Sequence, residues 1–395
     1  MDTRLTELVG RLLPSLDAAF PTELVDVLAG FLTECTGAEG VELMLADYDL
    51  EVLVQVRHDE PAASAQSVPV SGSDAGRAFT TQATVAVPDG DTTVVYLPVS
   101  LRAERLGVLQ ARLPYSVPAD TLEGLQQAAT VVAYVVFAAS RFTDMYEQAR
   151  RRKPVSLDAE MQWNLLPIRA FTAPQFEVAG QLMPAYDVGG DSFDYSVETD
   201  ALNLTVTDAM GHGVGASLLD ALAVAALRNG RRAALDLAEQ VQQAHRALHS
   251  QFAGAQFVVA LVARVELETG RAAVVNAGHP AGYRLRHGRL SRIDLRPQLP
   301  LGLFAQTTYY KQRFTLRPGD RLFFASDGVT EAGPRGAEPF GEKRLQGVLL
   351  ATARQPPHEG VRQVLRTVSA YQQGAFRDDA TALCLDWRSR ADHGP

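Results

Sequence analysis

Apolar residues recur at helical spacing from the start of the chain, at Leu5, Leu8, Val9, Leu12 and Leu16, with Pro14 and Pro21 interrupting the rhythm. The pattern predicts a helix broken at Pro14, then a second over about 22–36. The period next falls to two, at Val41, Leu43 and Leu45 and again at Leu50, Val52 and Val54. These runs predict antiparallel strands, joined by two more over 92–99 and 106–113. A sheet flanked by helices makes a sensor-sized α+β domain of residues 1–140. From Leu125 the apolar positions run three and four apart through Ala128, Val132, Val135, Ala139, Phe142, Tyr146 and Ala149, while Arg141, Asp144, Glu147 and Arg150 stay on the wet side. Two structures share that spacing: a parallel coiled-coil homodimer, or a helix that closes the first domain on its own sheet. A short helix with Met161, Leu165 and Leu166 stops before Pro167, so a helical linker covers 123–167.

Beyond Pro167, alternating strands and glycine-rich turns take over, giving a domain over 168–388. Strands are expected over 176–182, 201–207, 257–267, 272–276, 281–286, 321–326 and 380–386, and amphipathic helices over 216–231, 235–250 and 357–373. So many strands interrupted by long helices predict a sandwich with the sheets inside and the helices outside.

Composition narrows the function. The 46 acidic against 37 basic residues leave a formal charge of -9, which repels a phosphate backbone, so nucleic acid is not an expected ligand. Cys35 and Cys384 are the two cysteines, too far apart for zinc-ligand spacing, and both are expected to be buried, reduced thiols. The opening residues mix acids and bases and show no cleavage signal, which points to the cytoplasm. The uncharged run 124–140 contains Gln126 and Gln127 and falls short of the roughly 20 apolar residues of a membrane span, so no membrane is expected.

Four aspartate sites stand beside glycine or at strand ends: Gly189-Gly190-Asp191, Thr207-Asp208-Ala209, Ser326-Asp327-Gly328 and Arg377-Asp378-Asp379. Any one of them alone reads as a turn former. Gathered in one cleft, each pair of carboxylates at about 4 Å would repel by roughly 4 kcal/mol at an effective dielectric near 20, so the cluster requires cations. Oxygen donors without cysteine or histidine pairs favour Mg²⁺ or Mn²⁺, and two such ions suit hydrolysis of a phosphate ester.

The ordered series Pro184-Ala185-Tyr186-Asp187-Val188-Gly189-Gly190-Asp191, Thr207-Asp208-Ala209-Met210-Gly211-His212-Gly213, Asn276-Ala277-Gly278-His279-Pro280, Ser326-Asp327-Gly328 and Asp378-Asp379-Ala380-Thr381 resembles the PPM-type (protein phosphatase 2C-like) phosphatases. Within them it is most similar to the branch typified by RsbU and stage II sporulation protein E. The resemblance implies an αββα sandwich and a phosphoserine/phosphothreonine phosphatase. It further implies that Asp208 bridges two divalent cations (Mn²⁺ or Mg²⁺), that the Ala209 carbonyl and Asp191 complete one shell, and that Asp327 with Asp378 or Asp379, Asp378 being favoured, holds the other ion. His212 or His279 would either protonate the leaving oxygen or hydrogen-bond a loop. Thr207 departs from the pattern, standing where the family usually has glycine.

The N-terminal half resembles a GAF domain through Gly76-Arg77-Ala78-Phe79, Leu97-Pro98-Val99 and Arg105-Leu106-Gly107-Val108-Leu109. That implies a sensor with an unidentified small-molecule ligand, or a module that only dimerises. By the family's habit the substrate would be a STAS-type anti-sigma-factor antagonist in a stress-response pathway, with control passing through the linker. The competing reading is a phosphatase-like scaffold without turnover.

Overall fold

The computed structural model describes residues 3–57, 65–114, 116–184, 189–334, 336–373 and 378–388. The chain forms two compact units, 1–154 and 155–395.

The first unit contains α1 (Thr3–Ala18), α2 (Leu24–Thr36), β1 (Gly40–Ala46), β2 (Val52–Gln55), β3 (Ser67–Pro69), α3 (Asp74–Thr81), β4 (Val85–Asp89), β5 (Thr92–Leu101), β6 (Glu104–Leu113), α4 (Ala119–Ala139) and α5 (Met145–Arg150). Its strands form one antiparallel sheet in the order β3-β2-β1-β6-β5-β4. Strand alternation sends β1 side chains to two cores: Leu43 and Leu45 pack with α1, α2 and α4, whereas Met44 and Ala46 pack with α3.

Three expectations are corrected here. Helix α1 continues through Pro14, because the buried Leu12 and Leu16 on either side hold it against the core despite the lost backbone hydrogen bond. Cys35 is exposed, since it lies in the last turn of α2 past the buried stripe of Leu24, Leu28, Phe31 and Leu32. The proposed coiled-coil seam is internal. Leu125, Ala128, Val132, Ala139, Tyr146 and Ala149 share one core with Leu43 and Leu45, and α4 stops at Ala139, leaving Phe142 81% exposed at the break before α5. A stripe with this spacing serves a unit's own core as well as a partner helix, and here it closes the unit. Helix α4 is long and apolar enough to cross a bilayer, but its apolar stripe is occupied in this packing.

The second unit contains α6 (Leu157–Leu165), β7 (Ala170–Ala173), β8 (Phe176–Met183), β9 (Asp191–Val197), β10 (Ala201–Ala209), α7 (Val214–Arg232), α8 (Leu237–Phe252), β11 (Val258–Glu266), β12 (Arg271–Ala277), β13 (Tyr283–Arg286), β14 (Arg289–Arg292), β15 (Gln312–Thr315), β16 (Arg321–Ala325), α9 (Asp327–Glu331), α10 (Gly341–Ala351), α11 (Pro357–Gln372) and β17 (Ala380–Trp387). Two sheets result, β15-β12-β11-β10-β9 and β14-β13-β16-β17-β8-β7. Phe176, Val178, Phe193, Leu202, Leu204, Val206, Phe324 and Leu383 fill the space between them. Helices α7 and α8 cover the outside of the first sheet, and α10 and α11 the outside of the second. Gly180 makes this packing possible, because a Cβ there would lie 2.5 Å from the Phe193 ring. Burying a phenylalanine side chain contributes about 2–3 kcal/mol, so any side chain at Gly180 would displace a main anchor of the sandwich.

Candidate metal centre

The site lies at one end of the sandwich, where β9 and β10 of one sheet meet β16 and β17 of the other. Asp191 and Asp208 face each other in register across the β9–β10 pair. On these strands Phe193, Leu204 and Val206 point into the core between the sheets, so by alternation Asp191 and Asp208 point to the same side at its end. The Ala209 amide donates to the Gly190 carbonyl at 2.9 Å, which fixes the end of β10 beside the turn before β9.

The other sheet supplies Asp327, the first residue of α9 after β16, and Asp378 and Asp379, which precede β17. Gly328 allows these segments to meet, since a Cβ there would fall 1.8 Å from the Asp379 carbonyl oxygen. Asp379 Oδ2 accepts from the Asp191 amide at 3.1 Å and from Gln162 Nε2 at 3.0 Å, and Gln162 also donates to the Asp191 carbonyl at 2.6 Å. Gln162 is 1% exposed and comes from α6. Residues 185–188 and Arg377 of the quoted motifs lie outside the described residues.

Burial and mutual repulsion both raise the pKa values of these acids. Burial, then Asp327 and Asp378, push the Asp208 carboxyl up to about 8. Burial, then Asp208 and Asp379, raise Asp191 well above the usual carboxylate range, and burial raises Asp379 to about 7 against the opposing pull of Gln162 and the Asp191 amide. Asp378 is raised by burial and by Asp327. Among the described residues no three acids, histidines or cysteines already close on a single ligating point. Asp191 Oδ2 and Asp379 Oδ1 are buried without a hydrogen-bond partner among the described residues. Oxygen-only donors with orphaned buried lone pairs fit hard divalent cations.

The two histidines separate. His279 is 2% exposed, its Nδ1 lies 2.9 Å from the Pro280 carbonyl, and burial lowers its pKa to about 4, so the ring is neutral near pH 7. His212 is exposed and close enough to Asp378 to lower that carboxyl's pKa.

These raised pKa values imply a pH dependence in chelator. The folded chain keeps protons that an unfolded aspartate releases near pH 4, so this stabilisation is complete in acid and is lost as pH rises through about 7 to 8. The melting temperature in EDTA is expected to fall between pH 6 and 8.5, and Mn²⁺ is expected to reverse the fall. A flat profile over that window would show that the acids do not confront one another.

A family model described as stage II sporulation protein E (SpoIIE) matches residues 198–388. The chain is 20% identical over 242 residues to phosphoserine phosphatase RsbU of Bacillus subtilis (strain 168), a match covering 60% of this chain and 71% of that protein. It is 24% identical over 223 residues to protein IcfG of Synechocystis sp., covering 49% of this chain and only 35% of the relative. Among solved structures it is similar to the SiaA-PP2C domain of Pseudomonas aeruginosa, with 25% identity, a TM-score of 0.50, and coverage of 58% of this chain and 94% of that one. The family-model match falls on the second unit, which is thereby similar to the PPM/PP2C-type serine/threonine phosphatases of the RsbU and SpoIIE class.

Proposed function

We propose that the second unit is a phosphatase of this type that works with two divalent cations, Mn²⁺ or Mg²⁺, and hydrolyses a phosphoserine or phosphothreonine on a regulatory protein, a STAS-type anti-sigma-factor antagonist, in the cytoplasm. The observation that supports the reading is that the strand register, the Asp191 amide bond to Asp379 and the contact of Gly328 with Asp379 bring the segments carrying Asp191, Asp208, Asp327, Asp378 and Asp379 to one end of the sandwich. In this reading Asp208 would serve both of two divalent cations, Asp191 and the Ala209 carbonyl would help to hold one, and Asp327 and Asp378 the other. Asp379, already bound to the Asp191 amide and Gln162, holds the arrangement and presents its free Oδ1. The bound ions supply a water of lowered pKa and neutralise the phosphoryl oxygens. His212, exposed beside Asp378, donates a proton to the departing serine or threonine oxygen.

The reading is tested by incubating the full chain with Mn²⁺ and a phosphoserine-bearing STAS protein. Release of phosphate that EDTA abolishes is expected. Turnover of p-nitrophenyl phosphate without any release from phosphoserine proteins would remove the protein substrate from the proposal.

The N-terminal unit is the GAF-like sensor in this proposal, a role supported by a sheet covered by helices on both faces. Homodimerisation and a small-molecule ligand belong to the same reading. With the seam residues internal, Tyr134 and Phe142 are the large apolar side chains of that stretch left exposed. Control reaches the metal centre through α6, because Gln162 from that helix binds two of the acids' segments. Gln162→Ala is expected to lower kcat by about 10- to 100-fold, as loss of a ligand's outer hydrogen bond does. Steady-state kinetics at saturating Mn²⁺ checks this, and an unchanged kcat would take α6 out of the control path.

A further inference from the structure

Behind the strand ends that carry Asp191 and Asp208 lies a second acid that none of the motifs includes. Asp220, on α7, is fully buried. Its Oδ1 accepts from Thr207 Oγ1 at 2.6 Å, and Thr207 Oγ1 lies 2.7 Å from Ser192 Oγ. Thr207 donates to the carboxylate, and Ser192 bonds Thr207 and is close enough to stabilise the Asp220 carboxylate as well, so the three side chains form one buried hydrogen-bonded chain. Thr207 and Ser192 are themselves 0% and 1% exposed.

The register gives this chain its meaning. Thr207 pairs with Ser192, and one step further along Asp208 pairs with Asp191. Side chains alternate across a strand, so Thr207 and Ser192 point to the helix side and the metal-facing acids to the other. A hydrogen-bonded clamp on one face therefore fixes the backbone that aims the carboxylates on the opposite face. Filling this space with an apolar side chain would cost far less than burying a carboxylate whose Oδ2 has no hydrogen-bond partner among the described residues. Arg228, which binds Asp194 together with Arg231, acts on Asp220 as a nearby positive charge.

We propose that Asp220 is a positioning residue of the metal centre, acting through Thr207 and Ser192 to hold Asp208 and Asp191 in ligating orientation. The inference rests on the phosphatase reading above. It also gives the threonine at position 207, in place of the family's usual glycine, a partner and a purpose.

The test is calorimetric titration of the full chain with Mn²⁺, alongside its melting temperature in EDTA. Asp220→Leu and Thr207→Val, which break the chain at constant bulk, are expected to weaken Mn²⁺ binding by about 10- to 100-fold, while Asp220→Asn and Thr207→Ser, which keep it, stay within about threefold. A purely structural role would lower the melting temperature of the first two variants and leave their Mn²⁺ affinity at the wild-type value, and that result would overturn the inference. Equal weakening in Thr207→Ser and Thr207→Val would overturn it too. Failure of the wild-type chain itself to bind Mn²⁺ would defeat the phosphatase reading and this inference with it.

Discussion

Asp208→Asn is expected to lower phosphoserine turnover at least about a thousandfold, a loss of ~4 kcal/mol in transition-state stabilisation. Asparagine keeps the size of the side chain but cannot bridge two cations as a carboxylate does. The same substitution removes one of the mutually repelling charges, the group that burial, together with Asp327 and Asp378, pushes up to about 8. The variant in EDTA should therefore melt no lower than the wild type near pH 8. Loss of activity together with retained or increased stability separates a ligand from a residue that merely supports the fold. A variant that keeps wild-type turnover would remove Asp208 from the catalytic centre, and turnover in neither protein would leave the scaffold reading in its place.

Gly328→Ala is expected to cost about a hundredfold in kcat, although it adds only a methyl group. A Cβ at this position would sit 1.8 Å from the Asp379 carbonyl oxygen, a backbone atom that no side-chain rotation can move aside. Either α9 or the segment before β17 must then move, and each carries acids of the site: Asp327 on one, Asp378 and Asp379 on the other. A displacement near 1 Å in a catalytic constellation is worth about two orders of magnitude in rate. Overpacking also costs about 1–3 kcal/mol of stability, so the melting temperature should fall. Gly347→Ala in α10 is the control, since a Cβ there meets nothing within 4 Å and should leave kcat unchanged. Equal kinetics in the two variants would mean that the contact at Gly328 does not set the spacing of the acids.

The place of Asp327 was legible in the sequence because a carboxylate after a run such as Leu322-Phe323-Phe324-Ala325 stands at a strand's rim, and β16 ends at Ala325. Strands β8, β10, β11 and β17 were legible for a related reason, their apolar residues forming long uninterrupted or alternating runs. Strand β9 was not, since Asp191-Ser192-Phe193-Asp194-Tyr195 offers only two core residues among acids and a hydroxyl, a pattern that reads equally well as a loop. The α4 stripe was ambiguous in principle, because spacing alone does not say whether the partner surface belongs to the same unit. Gln162 and Asp220 carried no local signal at all. Gln162 meets Asp191 and Asp379 across 29 and 217 residues of chain, and Asp220 acquires its role only when α7 folds onto the β9–β10 pair. Pro14 misled in the opposite direction, its local cost being outweighed by the burial of Leu12 and Leu16.

Crystals of the full chain grown with Mn²⁺, measured at the manganese absorption edge, would locate the ions directly. Two anomalous peaks bracketing Asp208, one within ligand distance of Asp191 and the other of Asp327 and Asp378, are the expected result. Asp191, Asp208, Asp327 and Asp378 in order, with no manganese between them at saturating concentration, would contradict the account.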